Sequence, residues 1–459
     1  MFFEYIIAIL ILCVYAWLIY FAIKGGNMTF GFFFTGILWT VICLFAWHSG
    51  FLNPEFAAAN ADYVSTSAVQ QINTIFQDGI RNQGLQTVDI ITGAWFGEVL
   101  VMTGISQTLI RKCVEFGGDR PLVVMIILDI VVALLFTSIF GIGAVIAIGI
   151  IVLPILFSLG VPKVIACLSY LFSVAAGNFL NPVLNDAYYA TFSTNAQGVQ
   201  EYSFANWAPT YGYIACVVAI VFVVIMTVFL MKGSNRPRAK AWAAPNPASA
   251  DSGPKQVPWY ALILPFMPTV TILFFKTANL PTFLLWGWVA LMVCGCTKNF
   301  SMAANNFVKT LINAVNNSAG LIVFLLMLAC ITQPINLAKP FIALLVEPII
   351  PTNAPVILTI AFMILAPLAL FRGPLTIYGT AGPIFMILSG MGYSYTFLFP
   401  LFMAPSICMN MAACPTQSYV AWAINYSKIQ TKEYLKRSIW WGWIFTAVME
   451  VVVLLTVAF

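Results

Sequence analysis

Apolar residues come in blocks of about twenty, near 2–23, 30–51, 121–138, 140–160, 162–182, 209–231, 258–277, 281–297, 352–371, 374–392, 394–411 and 438–458. A bilayer's hydrocarbon core of ~30 Å takes about 20 residues per helix. The pattern therefore predicts an all-α polytopic membrane protein with roughly ten to twelve transmembrane helices. Phe2–Ile23 is too long for a signal-peptide core and has no basic segment before it, so it reads as the first of these helices. Two weaker apolar stretches, near 88–110 and 311–336, are broken by Gly and Asn. Each follows a more polar segment, 53–87 and 298–310, suited to helices lying along the membrane interface. The weaker stretches themselves are expected to cross the bilayer or to turn back as re-entrant hairpins.

Composition narrows the class. Of 459 residues, 61% are hydrophobic and 8% charged, against about 25% charged in soluble domains. A soluble enzyme and a disordered chain are both excluded. No phosphate-binding GxxxxGK[ST] loop occurs, which argues against ATP-driven pumping. The ten Cys lie mostly in apolar runs and read as small buried hydrophobes. No nucleophile–base pair, metal-ligand cluster or haem signature stands out, so no enzyme and no cofactor are expected. The net charge of +5 sits in short loops, which reads as topology rather than nucleic-acid binding.

The basic, Pro-bearing stretch 232–257 divides the chain into a first half, 1–231, and a second, 258–459. Lys232, Arg236, Arg238, Lys240 and Lys255 face a single acid, Asp251, which predicts a cytoplasmic linker. The stretch 183–208 carries Asp186 and Glu201 with no Lys or Arg and is expected to be an external loop. Landmarks repeat in order across the halves. Ile105-Ser106-Gln107 matches Ile331-Thr332-Gln333, Pro154 matches Pro383, Gly160 matches Gly390, and Pro182 matches Pro415. Two repeated halves with re-entrant hairpins or broken helices are the expected architecture, as in secondary transporters.

Five groups of polar residues could carry chemistry. Asn178, Asn181 and Asn185 flank Pro182 at a spacing that would share one helical face. Pro removes an amide and frees nearby carbonyls, and irregular backbone at membrane depth is tolerated only where protein or water satisfies it. Thr416, Gln417 and Ser418 follow Pro415 in the same way. Asn316, Asn317 and Ser318 precede Gly320, as at a hairpin tip or helix N-terminus. Arg372, Thr376 and Thr380 lie in a Gly- and Pro-rich stretch that cannot form a uniform helix, where Arg is a natural carboxylate partner. Glu98 and Asp129 are carboxylates inside apolar stretches and would be protonated, paired or wet. They are the candidates for coupling to H⁺ or Na⁺; the other groups are candidates for substrate binding. Each also has a structural reading: helix caps and loop ends for the Asn, Thr, Gln and Ser residues, lipid-headgroup contact for Arg372, and helix–helix hydrogen bonds for the carboxylates.

Gly93-Ala-Trp-Phe-Gly97 with Thr103-Gly104, the Gly118–Pro121 turn, Leu153-Pro154-Ile155, the Asn181-Pro182 break, Val257-Pro-Trp-Tyr and Arg372-Gly-Pro-Leu with Gly379-Thr-Ala-Gly form a pattern of small residues. It resembles the ion transporter superfamily, and more narrowly its gluconate, citrate and C4-dicarboxylate permease branches. The resemblance implies hairpins and broken helices meeting at a central site. It implies proton- or sodium-coupled symport of a small organic anion by alternating access. It also implies a homodimer in the lipid bilayer of a prokaryotic inner membrane. A cation/proton antiporter of the same superfamily is the alternative, and a channel a weaker third.

Overall fold

The computed structural model describes residues 2–78, 81, 84–118, 120–194, 200–232, 257–346, 348 and 354–458. The expected cytoplasmic linker lies almost wholly outside the described residues. The protein is all-helical, and the described residues hold no strand beyond an isolated bridge between Thr194 and Gln200. The longer helices are α1 (Phe2–Ile23), α2 (Met28–His48), α3 (Gly84–Thr103), α4 (Ile105–Gly117), α5 (Pro121–Phe136), α6 (Ile142–Ser158), α7 (Lys163–Asn178), α8 (Pro182–Ser193) and α9 (Tyr213–Lys232). After the linker come α10 (Met267–Phe275), α11 (Asn279–Val293), α12 (Phe300–Val346), α13 (Pro355–Leu365), α14 (Gly382–Gly390), α15 (Tyr395–Pro405), α16 (Ser418–Ser427) and α17 (Thr431–Thr456). Among the described residues six helices are long and apolar enough to cross a membrane, or eight if each of two bent pairs counts as one span. Shorter apolar helices, α5 and α6 among them, take up further apolar blocks.

Both bent pairs lie in the first half. α3 and α4 meet at 62° and α7 and α8 at 60°. Gly104, at φ +81°, turns the first corner, a conformation open to Gly at little cost. At the second, Pro182 opens α8 where its missing amide costs nothing, and the Asn181 side chain caps the new helix by accepting from Leu184 N at 3.1 Å. Residues 182–193 are thus a buried helix, not an external loop. The apolar content of the segment wins over its acidic charge.

Of the two forms expected for 311–336, a crossing helix or a re-entrant hairpin, the structure has the helix. The stretch 311–336 and the polar segment before it belong to one continuous helix, α12, of 47 residues, or ~70 Å. Asn313 to Gly320 lie well inside it rather than at a tip. Asn and Ser are tolerated mid-helix, and no Pro intervenes before Pro334. The second half is interrupted elsewhere: a 3₁₀ turn, Ala366–Arg372, a non-helical stretch to Ala381, and a π-turn, Ser406–Met411. Pro415 stands in a non-helical step before α16, whereas Pro182 is itself the first residue of α8.

α7 is the centre of the packing. Every residue from Val164 to Asn178 is buried, against α5, α9 and α6. Gly177 permits the closest approach, because a Cβ there would meet the Ala133 carbonyl of α5. α12 joins the halves by packing along α1, α2 and α3, with Trp47 Nε1 donating to Leu337 O at 3.0 Å.

Candidate functional site

The 3₁₀ turn 366–372 ends in two residues with left-handed backbone, Phe371 at φ +54° and Arg372 at φ +60°. Such positions cost non-Gly residues of order 1–3 kcal/mol and persist only where the surroundings impose them. Here the imposing contacts are local. Thr380 donates to Arg372 O through its amide, at 3.0 Å, and through its hydroxyl, at 3.2 Å. Tyr15 of α1 donates to Thr380 O at 2.7 Å. Thr376 Oγ1 accepts from Tyr378 N at 3.3 Å. Gly379 lies against the Arg372 backbone where any Cβ would collide. Thr376 and Thr380 are fully buried, so both serve the loop itself.

The loop aims the Arg372 side chain into a cavity of about 300 Å³. Arg372 and Phe371 line it together with Gly25, Gly26, Asn27 and Thr29 from the α1–α2 turn, Gly320 and Phe324 from α12, and Thr416. The guanidinium stacks on the Phe324 ring, 4.8 Å from its centroid, and Nη1 donates to Tyr378 O at 3.0 Å. Among the described residues no carboxylate pairs with it. A guanidinium carries five N–H donors, and the bond to Tyr378 O uses one of them. Gln417 and Ser418 start α16, with Ser418 N donating to Gln417 Oε1 at 3.0 Å.

The Asn-Pro group has a different use. Asn178, Asn181 and Asn185 are buried on either side of the α7–α8 bend and do not share a face. Asn181 Nδ2 donates to Phe136 O, at the end of α5, and to Ile139 O just past it, at 2.8 and 3.0 Å. Asn185 Nδ2 donates to Asn178 O and Phe179 O, carbonyls freed by the bend. Asn178 Nδ2 reaches Met411 Sδ in the π-turn.

The two carboxylates occupy separate places. Glu98 of α3 accepts from Asn317 Nδ2 of α12 at 2.7 Å, uniting two positions singled out from sequence. Gly143, at the start of α6, packs against both. Asn316 is exposed beside Asn317, and Ser318 Oγ is buried without a partner. Asp129 of α5 is held by hydroxyls alone. Ser169 and Ser173 of α7 donate to Oδ1, the latter at 3.0 Å, and Thr227 of α9 donates to Oδ2 at 2.6 Å.

Sequence reasoning missed the α1–α2 turn; the Gly25-Gly26-Asn27 run was its available signal. It missed Ser169 and Ser173, one turn apart in an apolar helix. It also read Asp186 as a surface residue, whereas Asn279 Nδ2 bridges Asp186 and Asp89 at 3.2 and 3.4 Å.

No protein-family model matches this chain, and no curated protein matches it in sequence. A solved structure is similar in fold: the YdaH transporter of Alcanivorax borkumensis, described as having an unusual topology. It is 13% identical, the match covers 86% of this chain and 88% of that one, and the TM-score is 0.54. The chain therefore has the fold of a solved polytopic membrane transporter.

Proposed function

We propose that the protein is a secondary active transporter, a symporter of a small organic anion such as a carboxylate, coupled to H⁺ or Na⁺ and working by alternating access. The observation that carries this reading is Arg372: a cation without a carboxylate partner among the described residues, set by a strained loop into a cavity of about 300 Å³ large enough for a small solute. Arg binds carboxylates with paired, charge-assisted hydrogen bonds. Hydroxyls of Thr29 and Thr416 supply neutral contacts beside it. Asn316, Asn317 and Ser318 sit on α12 one turn before Gly320 and would meet the solute as it moves. Glu98 and Asp129 would take the coupling ion. The gluconate, citrate and C4-dicarboxylate permease branches of the ion transporter superfamily remain our proposed relatives. A homodimer in a prokaryotic inner membrane is the proposed setting.

Uptake of a labelled carboxylate into proteoliposomes under an imposed pH or Na⁺ gradient tests the reading. Accumulation above equilibrium is expected. Arg372→Gln should raise KM about 10- to 100-fold, the loss of one or two charge-assisted bonds. Unchanged KM in that variant overturns the role of Arg372.

The cation/proton antiporter is a second reading, favoured by the buried Asp129 carboxylate, which would then bind the transported ion itself. Gradient dissipation without organic solute would select it.

A further inference from the structure

Four buried oxygen-bearing side chains from three helices converge where α5, α7 and α9 meet: Asp129, Ser169, Ser173 and Thr227. We infer that this cluster is a proton-binding site, and that Asp129 takes up and releases one proton while its hydroxyl shell reverses its hydrogen bonds. The inference deepens the coupling role proposed above and rests on it only for the link to transport.

The shell chemistry sets Asp129 apart. Three other carboxylates, Glu4 buried and Asp186 and Glu98 half-buried, are held by fixed donors. Asp186 takes the Phe204 amide at 2.7 Å, Glu4 the Asn53 amide at 2.5 Å, and Glu98 the Asn317 side-chain amide. An N–H can only donate and so favours the ionised acid alone. A hydroxyl donates one proton and accepts through two lone pairs. With Asp129 ionised, three hydroxyls point at it. With Asp129 protonated, its own O–H donates to one of them, and the displaced hydroxyl needs another acceptor. Ser173 has that acceptor in place: its Oγ lies 3.0 Å from Asp129 Oδ1 and 2.8 Å from Ser169 O. Thr227 and Ser169 stand 3.5 Å apart and can exchange roles. Both protonation states are then free of orphaned polar atoms, the condition for a buried group to change state without a large penalty.

The spacing favours a proton over a metal ion. Oxygens around a cation at 2.3–2.6 Å, set at right angles, stand roughly 3.3–3.7 Å apart. Here Ser173 and Thr227 are at 3.0 and 2.6 Å from the carboxylate, each gap closed by a hydrogen.

Among the described residues no charged group bonds the cluster; the buried Glu450 lies on α17, which packs against α7 and α9, and is not among the partners of Asp129. On α7, Lys163 donates to Ser427 O, Cys167 contacts Ser427 Oγ, and Tyr170 donates to Val145 O. On α9 the titratable residues are Tyr213, Cys216 and Lys232, the first and last near the helix ends. On α4, Arg111, Lys112 and Glu115 face outward and Cys113 is half-buried. Arg120 stands at the N-terminal boundary of α5, more than two turns before Asp129, and Tyr260, on a second 3₁₀ turn (Trp259–Phe266) against α5, is exposed. α6, the remaining neighbour, carries no titratable side chain. None of these groups bonds the Asp129 carboxyl, so the proton itself is what neutralises it.

The test is infrared difference spectroscopy of the full chain in lipid nanodiscs, titrated from alkaline to acid pH with and without Na⁺. The wild type should show a carboxylic-acid carbonyl band that Asp129→Asn lacks. Thr227→Val keeps the shape of the side chain and removes a donor to the ionised form. It should retain the band and shift its appearance about one to two units to higher pH. Ser173→Ala should shift it in the same direction. A band equal in wild type and Asp129→Asn overturns the inference, as does one that Thr227→Val leaves unmoved. A wild type without the band, whose thermal midpoint Na⁺ raises in an Asp129-dependent manner, overturns it in favour of a sodium site. A normal band without any gradient-driven uptake instead sinks the transport reading and leaves the proton site standing.

Discussion

Asn181 shows how one side chain can hold a bend together. Its amide answers two carbonyls at and just past the end of α5 while its oxygen caps α8. Asn181→Ala leaves three buried backbone groups without partners. Unfolding in detergent should therefore show a loss of about 2–4 kcal/mol. Asn316→Ala offers the contrast. Asn316 is exposed, so stability should hold within about 0.5 kcal/mol, and any loss should fall on anion affinity. A large stability loss at Asn316, or none at Asn181, contradicts these assignments. The sequence marked both Asn residues as polar against an apolar background, yet not which would bind backbone. That depends on partners such as Phe136 and Ile139, more than forty positions earlier. Arg372 was easier to single out, because Gly and Pro around it forbid a helix. Thr376 and Thr380 were flagged with it but turn inward to shape the loop.

Breaks between helices do more here than their regular parts. The loop that sets Arg372 depends on Gly379, whose missing Cβ lets two strands of backbone touch. Gly379→Ala should abolish gradient-driven uptake and lower the thermal midpoint together. Gly25→Ala is the milder comparison: φ is +79° but no atom crowds the site, so the cost should be about 1 kcal/mol with uptake largely kept. Equal effects of the two substitutions would show that the contact at Gly379 is unimportant. At this scale the apolar blocks located the helices well. Gly104 and Pro182 marked the bends, since each residue type has a local backbone consequence. α12 was misread because tandem Asn residues suggested a tip. Nothing local reveals that the helix runs on through them, packed along α1, α2 and α3.

Across the whole molecule the cavity and the hydroxyl cluster are built from different helices. The cavity draws on α1, α2, α12 and the 366–372 turn; the cluster draws on α5, α7 and α9. Continuity between them runs through the α7–α8 bend, where Asn178 touches Met411 and the π-turn in turn contacts the 366–372 turn. Long-range assembly of this kind leaves little trace in sequence. The small residues that allow close approach, such as Gly177 against Ala133, are visible one at a time, and their partners are not.

The unpaired guanidinium has an electrical consequence. Arg372 gives the cavity one fixed positive charge, which a monovalent carboxylate, on the proposed reading, would cancel. If one proton rides on Asp129 in the same cycle, the solute and proton together carry no net charge. Uptake of a monoanion should then be indifferent to membrane voltage. A dianion with the same single proton carries one negative charge inward and works against an inside-negative potential, at about 2.3 kcal/mol per 100 mV. Clamping proteoliposomes with a potassium gradient and valinomycin would read this directly. Voltage-independent accumulation of a monocarboxylate, beside voltage-sensitive accumulation of a dicarboxylate, is the expected signature. Equal voltage dependence for both would mean that charge other than one proton accompanies the anion.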